Sequence, residues 1–283
     1  MNTKTIISGS LLIGLLFGIL SCQNGTKNTE KVSDTIAVVQ DTIQSAVIEK
    51  NVEVIPFPEN VEILLPTQYR KESTGYPQNV KGKDWYELYK DSKTGKWCIA
   101  KADLQISYGH DECAAEDVMV IKSQHEDAVL FFTSFDRLSD NIETILENKP
   151  LIPGIPVDFK MNAKNYSLSA SGTLYDDEGK TIAAAQLPKD SEGNIYIPQI
   201  KKFNLSFSSD NAKSYSIAGI ESINSTNPKI IWVGDLNDDG LPDMILDLSD
   251  FYESEHLYFF LSDKNDFEKP LKKIADLLVV NDC

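Results

Sequence analysis

Short runs in which apolar and polar residues alternate recur along most of this chain, and they restrict it to a fold built from β-strands. Trp85-Tyr86-Glu87-Leu88-Tyr89 and Lys96-Trp97-Cys98-Ile99-Ala100 flank Asp91-Ser92-Lys93-Thr94-Gly95, which has the composition of a hairpin loop. Residues 103–108 extend the second run, and Ala128-Val129-Leu130-Phe131-Phe132 reads as a buried strand. Residues 166–174 alternate, 176–179 turn and 181–183 return; 195–197, 203–207 and 215–218 continue the pattern. Residues 229–233, 244–248 and 256–261 follow, and 273–280 form a last apolar segment, strand or short helix. One stretch has the helical period instead: Leu138, Ile142, Ile145 and Leu146, with Ser139 as its N-cap. The expected class is mainly β, a β-rich α+β arrangement of antiparallel strands with one short helix.

Lys149-Pro150-Leu151-Ile152-Pro153-Gly154-Ile155-Pro156 separates the two sets of runs, and its prolines resist helix and central strand alike. It is the candidate boundary between a β-rich region over 52–150 and another over 151–283, which together make one large domain or two small ones. Residues 22–51 carry no aromatic residue; 25–30 are polar, and a weak amphipathic stretch over 36–48 has irregular apolar spacing. They bury too little apolar surface to offset ordering entropy, so a flexible tether is expected.

Residues 1–21 differ again. Lys4 precedes an apolar run over 6–20 that is broken only by small residues such as Ser8, Gly9, Ser10, Gly14 and Gly18. A charged start and roughly 15 apolar or small residues mark a secretory signal, whereas a spanning helix needs about 20. Ile19-Leu20-Ser21-Cys22 resembles the bacterial lipobox, whose cysteine is acylated and becomes the first residue of the mature chain. Gln23, not aspartate, follows. The resemblance therefore implies an outer-membrane lipoprotein of a Gram-negative-type cell, held by several acyl chains on Cys22. Such a protein faces either the periplasm or the exterior.

A formal net charge of −16 argues against a nucleic-acid partner, which needs clustered Lys and Arg. It suits solubility in an oxidising, calcium-containing compartment. Beyond Cys22 the cysteines are Cys98, Cys113 and Cys283. In an exported chain the default is one disulfide and one spare thiol. Cys113 with Cys283 is the preferred pair, because it would hold an end that otherwise frays and because Cys98 lies in a core-like run. Cys98 with Cys113 stays open.

The densest chemical motif is Gly234-Asp235-Leu236-Asn237-Asp238-Asp239-Gly240-Leu241-Pro242-Asp243. It places side-chain oxygens at positions 1, 3, 5 and 9 of a loop with glycine at 6, the spacing of an EF-hand-like calcium loop. Calcium takes six to eight hard oxygen ligands. Asp235, Asn237 and Asp239, two apart, can fold onto one centre, Leu241 can offer its carbonyl and Asp243 can close the site. Position 12 is Leu246 rather than glutamate, and strand-like runs flank the loop, so a paired-helix sensor is not expected. Residues 232–246 resemble an FG-GAP/VCBS-type repeat, whose calcium loop lies between β-strands. That resemblance implies side-chain ligation by Asp235, Asn237, Asp239 and Asp243 and carbonyl ligation by Leu241. Only one copy is present, so a full β-propeller is not implied. With its lipobox, single loop and terminal cysteine, the whole chain resembles uncharacterised lipoproteins of Bacteroidota-type bacteria, which implies no activity.

No catalytic residues are identified. His110, His125 and His256 have no zinc-ligand spacing, Ser171 lacks the glycines of a nucleophile elbow, and 109–113 read as a polar turn ending at a structural cysteine. A glycoside hydrolase needs only two carboxylates, which spacing does not single out among 43 acidic residues. Trp85, Tyr86, Tyr89 and Trp97 could offer aromatic faces to a glycan or protein partner. Yet neighbours on a strand point to opposite faces, so these aromatics belong to a core. The expectation is a membrane-tethered β-domain braced by a structural calcium ion, acting in envelope binding or scaffolding. The alternative is a glycan-active enzyme or glycan-binding module.

Overall fold

Most of the turn-bounded alternating runs form strands, and the pairings between strands among the described residues are antiparallel. Two differ: 195–197 forms only an isolated bridge from Ile195 to Lys189, and 105–108 opens a strand of a separate sheet instead of extending 97–101. The computed structural model describes residues 57–280 apart from 126, 136, 137, 140, 141, 190–192 and 211. The signal segment, the tether, Cys22 and Cys283 lie outside the described residues.

In chain order the first strands are β1 (Ile63–Leu64), β2 (Gln68–Arg70), β3 (Trp85–Lys90) and β4 (Trp97–Lys101). Next come β5 (Gln105–Asp111), β6 (Glu116–Lys122), β7 (Ala128–Thr133) and β8 (Thr144–Pro150). The chain continues through β9 (Val157–Met161), β10 (Lys164–Tyr175), β11 (Thr181–Ile182), β12 (Gln199–Ser209) and β13 (Ala212–Asn224). It ends with β14 (Lys229–Gly234), β15 (Asp243–Asp247), β16 (Ser254–Ser262) and β17 (Leu271–Val280). They form four sheets: β1-β7-β3-β4, β2-β6-β5, β17-β16-β15-β14-β8, and β11-β10-β12-β13 with β9 paired to β10. The fold is mainly β, and it is not a propeller. The final segment, read as strand or short helix, is strand β17.

The five-stranded sheet that ends in β17 explains the apolar runs of the last sixty residues. Its inner strands β15 and β16 are buried on both faces. Trp232, Ile245, Leu257, Phe259, Leu261 and Val279 enter a first core with Trp85, Leu88, Phe131 and Phe132. Ile230, Val233, Met244, Leu246, Phe260 and Leu271 enter a second core with Leu168, Ile200, Phe203 and Phe207. Alternation along β15 and β16 thus sends successive apolar side chains to opposite cores. Each fully buried side chain of this kind contributes about 1.5–3 kcal/mol.

The helix expected from Leu138, Ile142, Ile145 and Leu146 does not form. Residues 144–150 are strand β8, the edge strand beside β14, with Leu146 opposite Val233 and Glu147 opposite Trp232. The helical spacing was the sum of two strand-and-loop assignments. Leu138 and Ile142 pack against the first core, whereas Ile145 and Leu146 pack against the second. The hydrogen bonds β8 makes with β14 outweigh a weak local helical preference. The helical element among the described residues is instead a single 3-10 turn, Ala184–Gln186.

The proline-rich segment carries the chain from the third sheet to the fourth. Pro150 ends an edge strand, where a missing N–H is tolerated, and Leu151 and Ile152 are buried in the second core. Since β8 precedes this segment and pairs with β14 beyond it, the two regions share a sheet, and the described residues belong to one compact unit. The polar stretch 109–113 is not simply a turn, because strand β5 runs through Asp111. There the Arg70 guanidinium, 3.0 Å away, holds the Asp111 carboxyl below the usual carboxylate range.

Candidate functional site

Strands β14 and β15 pair with Gly234 opposite Asp243, so the acidic motif is the connection of a hairpin placed between the two cores. Gly234 is required by space. A Cβ there would lie 2.2 Å from the Glu143 carbonyl oxygen and 2.2 Å from the Trp232 ring. Gly234→Ala is therefore expected to destabilise by about 1–3 kcal/mol through overpacking. A denaturation midpoint unchanged from the parent would show that the loop entry is not close-packed.

The reversal uses two left-handed residues, Asp238 at φ 55° and Gly240 at φ 80°. Aspartate tolerates this conformation better than most residues, and glycine adopts it freely. Leu236 is fully buried in the first core. Its carbonyl accepts the Ser139 N–H at 2.7 Å, so the loop's second residue is anchored while its tip reaches solvent.

The structure gathers Asp235, Asn237, Asp239 and Asp243 in this one connection, but it gives them different work. Asp235 accepts N–H bonds from Asp239 (3.2 Å) and Gly240 (2.8 Å). The Asn237 side-chain oxygen accepts from the Asp239 N–H at 3.2 Å. Asp239 accepts from the Leu241 N–H at 2.8 Å. Asp243 is completely buried and accepts three bonds: the Leu236 N–H at 2.7 Å, the Ser262 N–H at 2.8 Å and the Ser262 hydroxyl at 3.0 Å. It latches the hairpin to the end of β16. Sequence reasoning missed two further latches, because each lies far from the motif. Asn162 donates to the Gly240 carbonyl at 3.0 Å, and the Ser262 hydroxyl also lies 2.8 Å from the Pro242 carbonyl.

Burial pushes the Asp243 carboxyl well above the usual carboxylate range, and Asp239 and Asp235 push it the same way. Burial raises Asp239 to about 6; Asp235 adds to this, while the Leu241 N–H and Lys264 oppose it. Among the described residues no cation is ion-paired to Asp235, Asp239 or Asp243. Also among the described residues, no three His, Cys, Asp or Glu side chains are gathered closely enough to hold a metal by themselves. The loop carboxylates are turned onto loop N–H groups instead. A cation here would use the remaining carboxylate lone pairs together with the Asn237 amide oxygen and the Leu241 carbonyl, a hard-oxygen set that fits calcium. Among the described residues the buried hydroxyl of Tyr166 has no hydrogen-bond partner; its titration is raised first by burial and then by the field of Asp239.

These shifts set a pH dependence for the metal-free chain. A folded-state carboxyl raised to about 6 contributes stability that is whole below its unfolded value, about 3.9, and lost as pH rises through the folded one. Asp239→Asn removes that loss. In chelator, the variant should therefore gain stability relative to the parent between about pH 4 and 6; a pH-independent difference in urea midpoint would contradict the sign.

The other sequence candidates are dispersed. Trp85 and Trp97 are buried, and their indole N–H groups bond the Val80 carbonyl (2.9 Å) and Glu147 (2.7 Å). Tyr86 stacks on Phe132, so these aromatics form core and not a platform. His110 lies 3.5 Å from Asp117, His125 2.8 Å from Glu87 and His256 3.0 Å from Asp276. Cys98 is a free thiol. Cys113 is disulfide-bonded and Cys98 is not, so the Cys98–Cys113 pairing does not form.

No family model, curated protein or solved structure matches the chain.

Proposed function

We propose that this chain is an exported, lipid-anchored β-domain whose acidic hairpin holds one structural calcium ion, and that it serves envelope binding or scaffolding. The observation that carries the reading is the loop itself. Three mutually repelling carboxylates, an amide oxygen and a carbonyl share one short connection between two cores, with no cation paired to the carboxylates among the described residues. A bound ion relieves that repulsion and fixes β14 against β15. The flanking side chains are packing residues such as Trp232, Leu236 and Ile245, which favours bracing over catalysis. Loss of calcium binding in Asp239→Ala, read by calorimetry, is the expected result; undiminished binding overturns the assignment.

The anchor is a separate proposal that rests on residues 1–22. Mass spectrometry of the mature protein should find acyl mass on Cys22, and an unmodified Cys22 would sink it. The partner proposed for Cys113 is Cys283, and non-reducing peptide mapping that joins Cys113 to another residue would refute that pairing.

A further inference from the structure

A cavity of about 210 Å³ opens beside the acidic loop, and Tyr166 of β10 lines it together with Asp239, Gly240 and Leu241 of the loop. Tyr166 is 4 % exposed, and its buried hydroxyl has no hydrogen-bond partner among the described residues. Native interiors rarely keep such a group. The ring is not free to turn away and find a partner. It stands opposite Phe159 of β9 and Ser209 of β12, and it stacks on Phe159 and Phe207 at centroid separations of 5.4 and 5.9 Å. The β9–β10 hairpin that carries it is fastened to the loop, since Asn162 in its turn donates to the Gly240 carbonyl at 3.0 Å. The carboxylates around the hydroxyl are engaged elsewhere. Asp210 accepts the Asn165 N–H at 2.8 Å and its amide at 3.0 Å, and Asp239 accepts the Leu241 N–H at 2.8 Å. Burial first, and then the fields of Asp239 and Asp210, keep the phenol protonated.

The loop has a matching gap. Both carboxylate oxygens of Asp235 already accept N–H groups, and so do both of Asp243, which favours ligation through a single oxygen at each. With Asn237, Asp239 and the Leu241 carbonyl, the set falls short of the roughly six to eight oxygens that calcium takes. Asp239 and Leu241 face the cavity, and the cavity is large enough to admit water. We propose that Tyr166 is a positioning residue of the ion site: its hydroxyl accepts a hydrogen bond from a water that enters by the cavity and completes the shell of the ion. The inference rests on the calcium reading and adds a residue that lies far from the motif in sequence. A protonated phenol keeps its acceptor lone pairs, and a water polarised by a cation is a strong donor. The negative field around the hydroxyl suits a water held by a cation. Partners of this kind orient the groups that touch a metal, and their loss typically weakens affinity about 10–100-fold.

Tyr166→Phe tests the role, because it keeps both ring stacks and removes only the oxygen. Calorimetric titration of the full chain with calcium should show affinity about tenfold weaker than in the parent. The urea midpoint in chelator should stay level or rise, since an unbonded buried hydroxyl is gone. A variant that merely disturbed packing would lose metal-free stability instead. Tyr108→Phe, at an exposed tyrosine of β5, should change neither quantity. Terbium in place of calcium reports the water directly: its luminescence lifetimes in ordinary and heavy water should show at least one coordinated water in the parent. Unchanged calcium affinity in Tyr166→Phe, a lowered metal-free midpoint in that variant, an equal affinity loss in Tyr108→Phe, or a terbium site without water overturns the role of Tyr166 while leaving the loop assignment in place. A parent that binds no calcium overturns the loop assignment and this role with it.

Discussion

If the proposed site holds calcium in the folded loop alone, the ion at about one hundred times its dissociation constant is expected to stabilise the chain by about 2.7 kcal/mol. For a unit of this size each kcal/mol moves the midpoint by about 2–4 °C, so thermal unfolding in calcium should lie roughly 5–11 °C above that in chelator. The effect arises in the loop. Without the ion, ionising Asp239 and Asp243 sets buried like charges against each other and against Asp235. Magnesium should reproduce little of the shift, since it demands tighter octahedral geometry and gives up its water reluctantly. A midpoint indifferent to calcium and chelator would remove the bracing role.

The second large effect belongs to Asp243, and it does not need the ion. Asp243→Ala strips the acceptor from two buried N–H groups, those of Leu236 and Ser262. Each orphaned buried donor costs about 1–3 kcal/mol, so the loss is roughly 2–6 kcal/mol, less what the parent forfeits by burying a carboxyl. Asp239→Asn provides the contrast. Asp239 accepts a single backbone N–H, so its replacement should abolish the calcium shift while leaving metal-free stability level or improved. Equal stability losses from the two variants would mean that latch and ligand roles are not separated in this loop.

Much of this fold could be read locally. The 85–101 hairpin follows from alternation around an Asp-to-Gly turn, and Asp91 does cap that turn through the Lys93 and Thr94 N–H groups. The acidic loop was legible for the same reason: its ligand spacing and Gly240 are properties of ten consecutive residues. What could not be read depends on distant partners. Leu138 to Leu146 has helical spacing only because neighbouring apolar residues serve two different cores, and a single sequence does not announce that a sheet is buried on both faces. Ser262 and Asn162 carry no local sign that they fasten the loop, since one ends a strand nineteen residues beyond Asp243 and the other precedes β10. The Tyr166 hydroxyl, without a partner among the described residues, was equally hidden, as alternation marks Tyr166 for burial but says nothing of what its oxygen meets.

The most direct measurement is a calcium titration of the full chain by calorimetry, with the parent and Asp239→Asn side by side. One saturable site per chain in the parent and none in the variant is the predicted result. No calcium binding by the parent, or equal binding by both, would contradict a calcium-braced hairpin.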